Sequence, residues 1–354
     1  LSHRHRHHRH KRHVLLWVML DIIVIVAALG AGVLFMREMG RRSLQSDEIP
    51  VMDSRQAETV DEEVKKKLEL IEDVDVIVDG VGYRYRKELI NIVLAGVDRD
   101  NVDSEGRHQC DLVMLAVVDI QNDKVSLIAI PRDTMTDIDF YTESGEYLYS
   151  RESQIALAYG YGTNDLMCGE LVKKAVSNLF YQLPVQGQFT LFMDGVAMLN
   201  DAVGGVTVTL DEPMRLNGTQ YYEEDTVTLQ GSEALSYVKT RDTRDPDSSL
   251  KRLARQKKYM KSFVSAAKNS LTDLTKVSEL IETISEYSAT DIDFNSMVYL
   301  ASQAVRMSIG DIVTLNGTAE NDGRHLQYRI DEDEFYNLVL NTFYEPVIYI
   351  SDSE

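Results

Sequence analysis

Val14 to Met36 is a run of 23 residues with a single charge, Asp21. As a helix rising about 1.5 Å per residue it would be about 34 Å long, enough to cross a hydrocarbon core of about 30 Å. It is longer than the apolar core of a cleavable secretion signal, and Arg37, Glu38, Arg41 and Arg42 follow it where a small-residue cleavage site would stand. The run is therefore read as a retained transmembrane helix over 14–36. Arg4, Arg6, Arg9, Lys11 and Arg12 precede it, interleaved with six histidines, against three cations just after it. That bias places the head, 1–13, in the cytoplasm and the rest of the chain on the outer face of a cell membrane. Trp17 falls where an interfacial aromatic is expected. Asp21 lies about two turns from the cytoplasmic edge, within reach of the interface.

Beyond residue 36 the chain holds 32 Lys and Arg against 56 Asp and Glu, a net charge of −24. Such a surface repels nucleic acid, so no nucleic-acid partner is expected. A site for an anionic ligand must be a local cluster of cations set against the global field. The two cysteines, Cys110 and Cys168, either pair outside the membrane or stay as two buried thiols.

Residues 37–87 read as a charged stalk or accessory segment, with helical spacing over Thr59–Ile71. From residue 88 the pattern becomes α/β. Leu89–Leu94, Leu112–Val118 and Val125–Ile130 are apolar runs of strand length bounded by Gly, Asp and Pro, as suits strands covered on both faces. Asn164 or Asp165 would cap a helix over 166–182. Phe189–Met193 reads as a strand, Gly195–Val203 as a helix and Val206–Leu210 as a strand. Helical periodicity runs from Ser249 to Met307. A strand at Ile312–Leu315 and a helix at Glu332–Phe343 close a domain over 88–346, leaving a tail at 347–354. The alternation predicts a layered α/β/α sandwich with a central mixed sheet.

Two segments carry chemistry. In the first, the strand from Asn91 ends at Gly96 and delivers Asp98 into a loop at the carboxyl end of the sheet, where ligands bind in open α/β folds. The next strand begins at Asp111, after Arg107 and Gln109, and the third ends in Pro131-Arg132-Asp133. Asp98 and Arg132 share one edge if their strands are parallel; Asp111 joins them only if its own strand runs the other way. The second segment is basic: Lys239, Arg241, Arg244, then Arg252, Arg255 and Gln256 at helical spacing on one face. Converging arginines suit phosphate or pyrophosphate, which the planar guanidinium binds bidentately. Only His108 and His325 follow the head, which argues against a Ser-His-Asp triad or a His-rich zinc site, and no phosphate-loop or dinucleotide glycine motif is present. Paired carboxylates with several arginines suit Mg²⁺-assisted phosphoryl transfer.

The ordered series resembles the LytR-CpsA-Psr family of bacterial envelope proteins. It comprises Asn91–Asp98 (NIVLAGVD), Cys110–Asp119 (CDLVMLAVVD), Val125–Thr134 (VSLIAIPRDT), Leu191–Gly195, Asn200–Val206, Leu229–Tyr237 and Arg252–Gln256 (RLARQ). The match runs over about 88–260, more weakly to 346. The resemblance implies a membrane-anchored phosphotransferase. It would move an anionic glycopolymer, such as a teichoic acid or capsular polysaccharide, from a polyprenyl-pyrophosphate carrier to the C6 hydroxyl of N-acetylmuramic acid in peptidoglycan. It also implies Mg²⁺ on Asp98 and Asp111, with Asp98, Asp111 and Arg132 catalytic. Arg107, Arg132, Lys239, Arg241, Arg252, Arg255 and Gln256 would then surround the pyrophosphate, and the lipid would lie in an apolar groove between sheet and helices. Three positions depart from the family pattern: Gln109 and Lys239 stand where arginine is usual, and Ser249 where an acid is frequent. A non-catalytic sensor of lipid-linked precursors and a polyprenyl-pyrophosphate pyrophosphatase are the competing readings.

Overall fold

The computed structural model describes residues 34–55, 74–102, 107–241, 248–270, 284–304, 306–321 and 326–349. Residues 1–33, with most of the expected span, lie outside them, as do the expected helix at Thr59–Ile71, Arg244 and His325. Among the described residues no helix is long and apolar enough to cross a membrane.

The chain divides into two units, 1–45 with 293–305, and 46–292 with 306–354. The small unit holds a helix over 34–43 and the helix Phe294–Ala304. Ser43 Oγ donates to Asp293 Oδ2 at 3.0 Å, and a Cβ on Gly40 would sit 2.1 Å from the Asn295 carbonyl. Only glycine allows that approach of the two backbones.

The large unit is built on a six-stranded sheet: β1 (Ile90–Val102), β2 (His108–Asp119), β3 (Lys124–Ile130), β4 (Gly187–Phe192), β5 (Ser288–Thr290) and β6 (Ser308–Thr314), in the order β5-β4-β1-β2-β3-β6. β2 runs antiparallel between β1 and β3, while β4 is parallel to β1 and β6 parallel to β3, so the sheet is mixed. Among the described residues, five α-helices accompany it: α1 (Asp165–Leu179), α2 (Gly195–Ala202), α3 (Ser232–Lys239), α4 (Ser248–Ser270) and α5 (Glu332–Phe343).

Side chains alternate across a strand, and the two faces meet different layers. Val93, Ala95 and Val97 of β1, with Val113, Leu115 and Val117 of β2, pack into a core shared with α1 and α5. Leu94, Gly96 and Leu112 point the other way, into a cavity closed by α2, α3 and α4. Near-continuous apolar strands are what two covered faces require. Asn164 caps α1, its side chain accepting from the Met167 N–H, and Asp331 caps α5 in the same manner.

Several expected boundaries move. β1 does not stop at Gly96: it continues to Val102 because β2, starting at His108, keeps pairing with it beyond a register shift. Val206–Thr209 pairs with Thr226–Leu229 in a separate ribbon, outside the central sheet. The long helical stretch from Ser249 is interrupted by β5, which pairs with β4. Val76–Val78 and Val81–Tyr85, in the segment expected as a stalk, form a small sheet with Tyr344–Tyr349, so the tail expected from 347 begins within a paired strand. The hairpin of Met135–Tyr141 with Tyr147–Gln154 was not legible in the pattern, because its second strand is exposed almost throughout. Cys110 and Cys168 are both buried as free thiols, and burial pushes the Cys168 thiol up to about 11.

Phe180, fully buried at the end of α1, meets Phe335 and Phe343 of α5 at ring distances of 4.9 and 6.3 Å. Phe180→Ala should cost about 3–5 kcal/mol, read by urea unfolding at unchanged m-value. A loss below about 1 kcal/mol would mean that this seam between α1 and α5 carries little of the stability.

Candidate functional site

The site begins with an irregularity in the β1–β2 ladder. Gly96 pairs with Leu112 and Val97 with Cys110, leaving Asp111 with no opposite residue. Strict alternation from Leu112 would turn Asp111 into the core beside Val113. Cys110 takes that core position instead, and the bulge re-aims Asp111 to the cavity side. On β1, alternation beyond Gly96 sends Asp98 to the same side. The antiparallel β2 therefore brings its beginning to the end of β1, as the grouping of Asp98 with Asp111 requires. Pro131 and Arg132 follow β3 at that same end.

Asp111 is 5 % exposed and holds two guanidinium groups. Its Oδ1 accepts from Arg132 Nη1 and, at 2.9 Å, from Arg252 Nη2 of α4. Arg132 Nη2 also donates to Gln109 Oε1 at 2.5 Å. An arginine at 109 would set two like charges together; glutamine instead orients Arg132. Asp98, 4 % exposed, has its Oδ2 2.7 Å from Lys239 Nζ at the end of α3. The lysine side chain is 40 % exposed, so its ammonium keeps much of its water.

Arg252 is 3 % exposed. Burial pushes its pKa down; Asp111 opposes that fall, and the charges of Arg132 and Arg241 add to it. Its Nε is buried with no hydrogen-bond partner among the described residues. Three guanidinium groups within electrostatic reach of one another, one with a donor to spare, make a place where an anion is favoured. Arg241 itself is exposed.

Two expected members stand elsewhere. Arg255 shares its helix with Arg252 but reaches Glu212 Oε1 at 2.7 Å and the carbonyls of Tyr237 and Thr240. It pins the end of α3 to α4 and has no contact with Asp111. Arg107 donates from Nη1 to Tyr161 OH at 2.9 Å and lies over that ring, at the side of the cluster. Gln256 donates to the Val238 carbonyl and lines the cavity, its Oε1 buried without a partner among the described residues.

That cavity has a volume of about 260 Å³. Leu94, Gly96, Leu112 and Phe189 of the sheet form its floor, and Tyr259, Met260 and Phe263 of α4 form part of its roof. Arg252, Gln256, Tyr259 and Phe263 follow at spacings of four, three and four, which is one face of a helix. One face of α4 thus passes from the buried charge cluster to the apolar cavity. The spacing was present in the sequence; what it faced was not.

Asp98 and Asp111 offer hard oxygen donors at one end of the sheet. Among the described residues no group of three or more His, Cys, Asp and Glu stands together. Two carboxylates fit a cation such as Mg²⁺, which keeps several waters and takes the rest of its ligands from a bound phosphate.

Residues 51–340 match the family model described as the LytR_cpsA_psr family. The chain belongs to this family. The polyisoprenyl-teichoic acid–peptidoglycan teichoic acid transferase TagU of Halalkalibacterium halodurans is 27 % identical over 212 residues, covering 60 % of this chain and 64 % of that protein. The protein of the same name from Enterococcus faecalis is 26 % identical over 251 residues, covering 70 % of this chain and 77 % of that one. Among solved structures, TagT bound to LI-WTA superposes with a TM-score of 0.55 at 18 % identity, covering 72 % of this chain and 90 % of that one, and so shares the fold. The LytR_cpsA_psr match begins at residue 51, inside the segment read from sequence as a stalk.

The two carboxylates of this LytR_cpsA_psr domain should respond differently to neutralisation. Asp111→Asn leaves Arg252 buried without its counter-charge and should cost about 3–5 kcal/mol of unfolding free energy. Asp98→Asn strands the half-exposed Lys239, whose ammonium keeps much of its water, and should cost less than that, about 1 kcal/mol. Equal losses in denaturant unfolding would contradict this ranking. Burial also pushes the Asp133 carboxyl above its ordinary value of 3.8, with the Arg132 charge acting against it. A carboxyl that holds its proton more tightly folded than unfolded loses stability as pH rises from its ordinary value through its raised one. Asp133→Asn lacks that proton, so over this window its unfolding midpoint should decline with rising pH relative to wild type less steeply. Parallel profiles for the two proteins would count against a raised Asp133.

Proposed function

We propose that the chain is a membrane-anchored phosphotransferase that moves an anionic glycopolymer from a polyprenyl-pyrophosphate carrier to the C6 hydroxyl of N-acetylmuramic acid in peptidoglycan. The observation that carries this reading is the single face of α4 joining a buried arginine pair to an apolar cavity. An amphiphile with a doubly charged phosphate head and a hydrocarbon tail matches both ends of that face. The names of the curated relatives, teichoic acid–peptidoglycan transferases, support the same reading. Residues 14–36 would tether the domain to the outer face of the membrane, where such a carrier stays.

In this mechanism Arg132 and Arg252 turn from Asp111 toward the pyrophosphate oxygens, and Arg241 adds its charge from the rim. Bidentate guanidinium contacts spread the charge that builds on the phosphorus in flight. Asp98 and Asp111 would hold Mg²⁺ when it is bound, supplying charge neutralisation at the pyrophosphate. The sugar hydroxyl attacks the phosphorus that bears the glycopolymer. A P–O bond to the sugar forms, the bridging P–O bond breaks, and polyprenyl phosphate leaves. Asp98 would orient the hydroxyl and take its proton once Lys239 shifts to phosphate. The cavity keeps the first part of the lipid out of water and so fixes the position of the head group.

The test is transfer by the full chain in lipid vesicles, given a polyprenyl-pyrophosphate oligosaccharide, Mg²⁺ and peptidoglycan fragments. Wild type should form a phosphodiester with the muramyl sugar, and Arg132→Ala should lower kcat at least about a hundredfold. Precursor binding without turnover would overturn the catalytic reading in favour of a sensor. Phosphate release that ignores the acceptor would favour a pyrophosphatase.

A further inference from the structure

A row of aromatic rings lies beside the site and takes no part in the scheme above. It sits where the hairpin of Met135–Tyr141 with Tyr147–Gln154 meets the 3-10 helix Ile155–Tyr161. Tyr149 and Phe140 are cross-strand partners with rings stacked at 4.9 Å and 27°. Phe140 in turn meets Tyr161 at 4.4 Å. Phe140 is buried, Tyr161 is half-buried, and Tyr149 is 46 % exposed although it is packed on a neighbour. Two arginines flank the row: Arg151 lies 5.0 Å from the Phe140 ring and 5.9 Å from that of Tyr149, and Arg107 lies 4.5 Å from that of Tyr161. Arg107 is two residues ahead of Gln109, about 7 Å of extended chain, and Gln109 holds Arg132. The row therefore ends two residues along the chain from the glutamine that holds Arg132.

From this geometry we infer that the row Tyr149–Phe140–Tyr161, bracketed by Arg151 and Arg107, is a docking strip for an amino-sugar glycan strand carrying carboxylates. The acceptor polymer of the proposed reaction, on which this identification of the occupant rests, is such a strand. Sugar rings present flat faces of C–H groups, which pack on aromatic faces, and hydroxyls and carboxylates at their edges, which guanidinium groups bind. Rigid rings lose little conformational freedom on binding, and Tyr149 is already held in place by Phe140. The strip is a single row of rings. A stable protein partner needs about 800 Å² on each side, which a single row does not supply. Two cations on a chain of net charge −20 are a local exception to its field, and they attract the carboxylates of such a strand. A glycan lying along the row would present one sugar at Arg107, next to the arginines that hold the donor phosphate.

The experiment uses the full chain in detergent and, as probe, a soluble fragment of alternating N-acetylglucosamine and N-acetylmuramic acid, with binding read by titration calorimetry. Tyr149→Ala and Arg151→Ala should each weaken binding about fivefold to tenfold. Tyr222→Ala, which removes another exposed tyrosine, should leave it unchanged. In the transfer assay Tyr149→Ala should raise the acceptor KM and leave both kcat and the donor KM in place. Tyr161→Phe keeps the ring but removes the hydroxyl that accepts from Arg107, so it should shift acceptor affinity less than Tyr149→Ala does. Equal affinity of wild type and Tyr149→Ala for the fragment, or a sedimentation shift showing that the strip joins two copies of the chain, would overturn the inference. Active transfer with an unmoved acceptor KM would sink the strip and spare the proposed function. Glycan binding that depends on Tyr149 in a protein without transfer would do the reverse.

Discussion

The hydrogen-bonded charge cluster at Asp111 is the interaction on which the rest of the molecule turns. A carboxylate so deeply buried persists only when its lost hydration is replaced, and here two guanidinium groups replace it. One comes from the turn after β3 and the other from α4, so the pair joins the sheet to the helix that covers its second face. The bulge at Asp111 makes this possible, since without the extra residue the carboxylate would face an apolar core. The same contact fixes the height of α4 above the sheet, and with it the space left between Leu94, Leu112 and Tyr259.

Much of the scaffold was legible because burial on two faces writes strands as apolar runs. The three runs between Leu89 and Ile130 are β1 to β3, and Glu332–Phe343 forms a helix over its expected limits, started by a carboxylate that accepts from its first N–H groups. What failed were elements without that signature. Tyr147–Gln154 is exposed along most of its length, so its periodicity carries no sign of a buried face. β5 is three residues long, too short for a pattern. The bulge is a single residue, and no local preference announces it.

The cluster was half legible for a similar reason. Helical spacing puts Arg252, Arg255 and Gln256 near one another, yet it does not say what each one meets. Arg252 finds Asp111, Arg255 finds Glu212 and two carbonyls, and Gln256 turns to the cavity. Gln109 and Lys239, which depart from the family pattern, make sense only in three dimensions. Gln109 spares Arg132 a like charge, and Lys239 places a compact ammonium on Asp98.

The cavity beneath α4 has one more consequence. From Arg252 to Phe263 the helix rises about 16 Å, and one face of it spans from the charge cluster to the apolar cavity of about 260 Å³. In the proposed reaction a prenyl chain entering there would set the units next to its phosphate against Leu94, Leu112 and Tyr259. Selection among carriers would then fall on the geometry of those first units. The domain would read the start of the lipid, next to its phosphate, as a key.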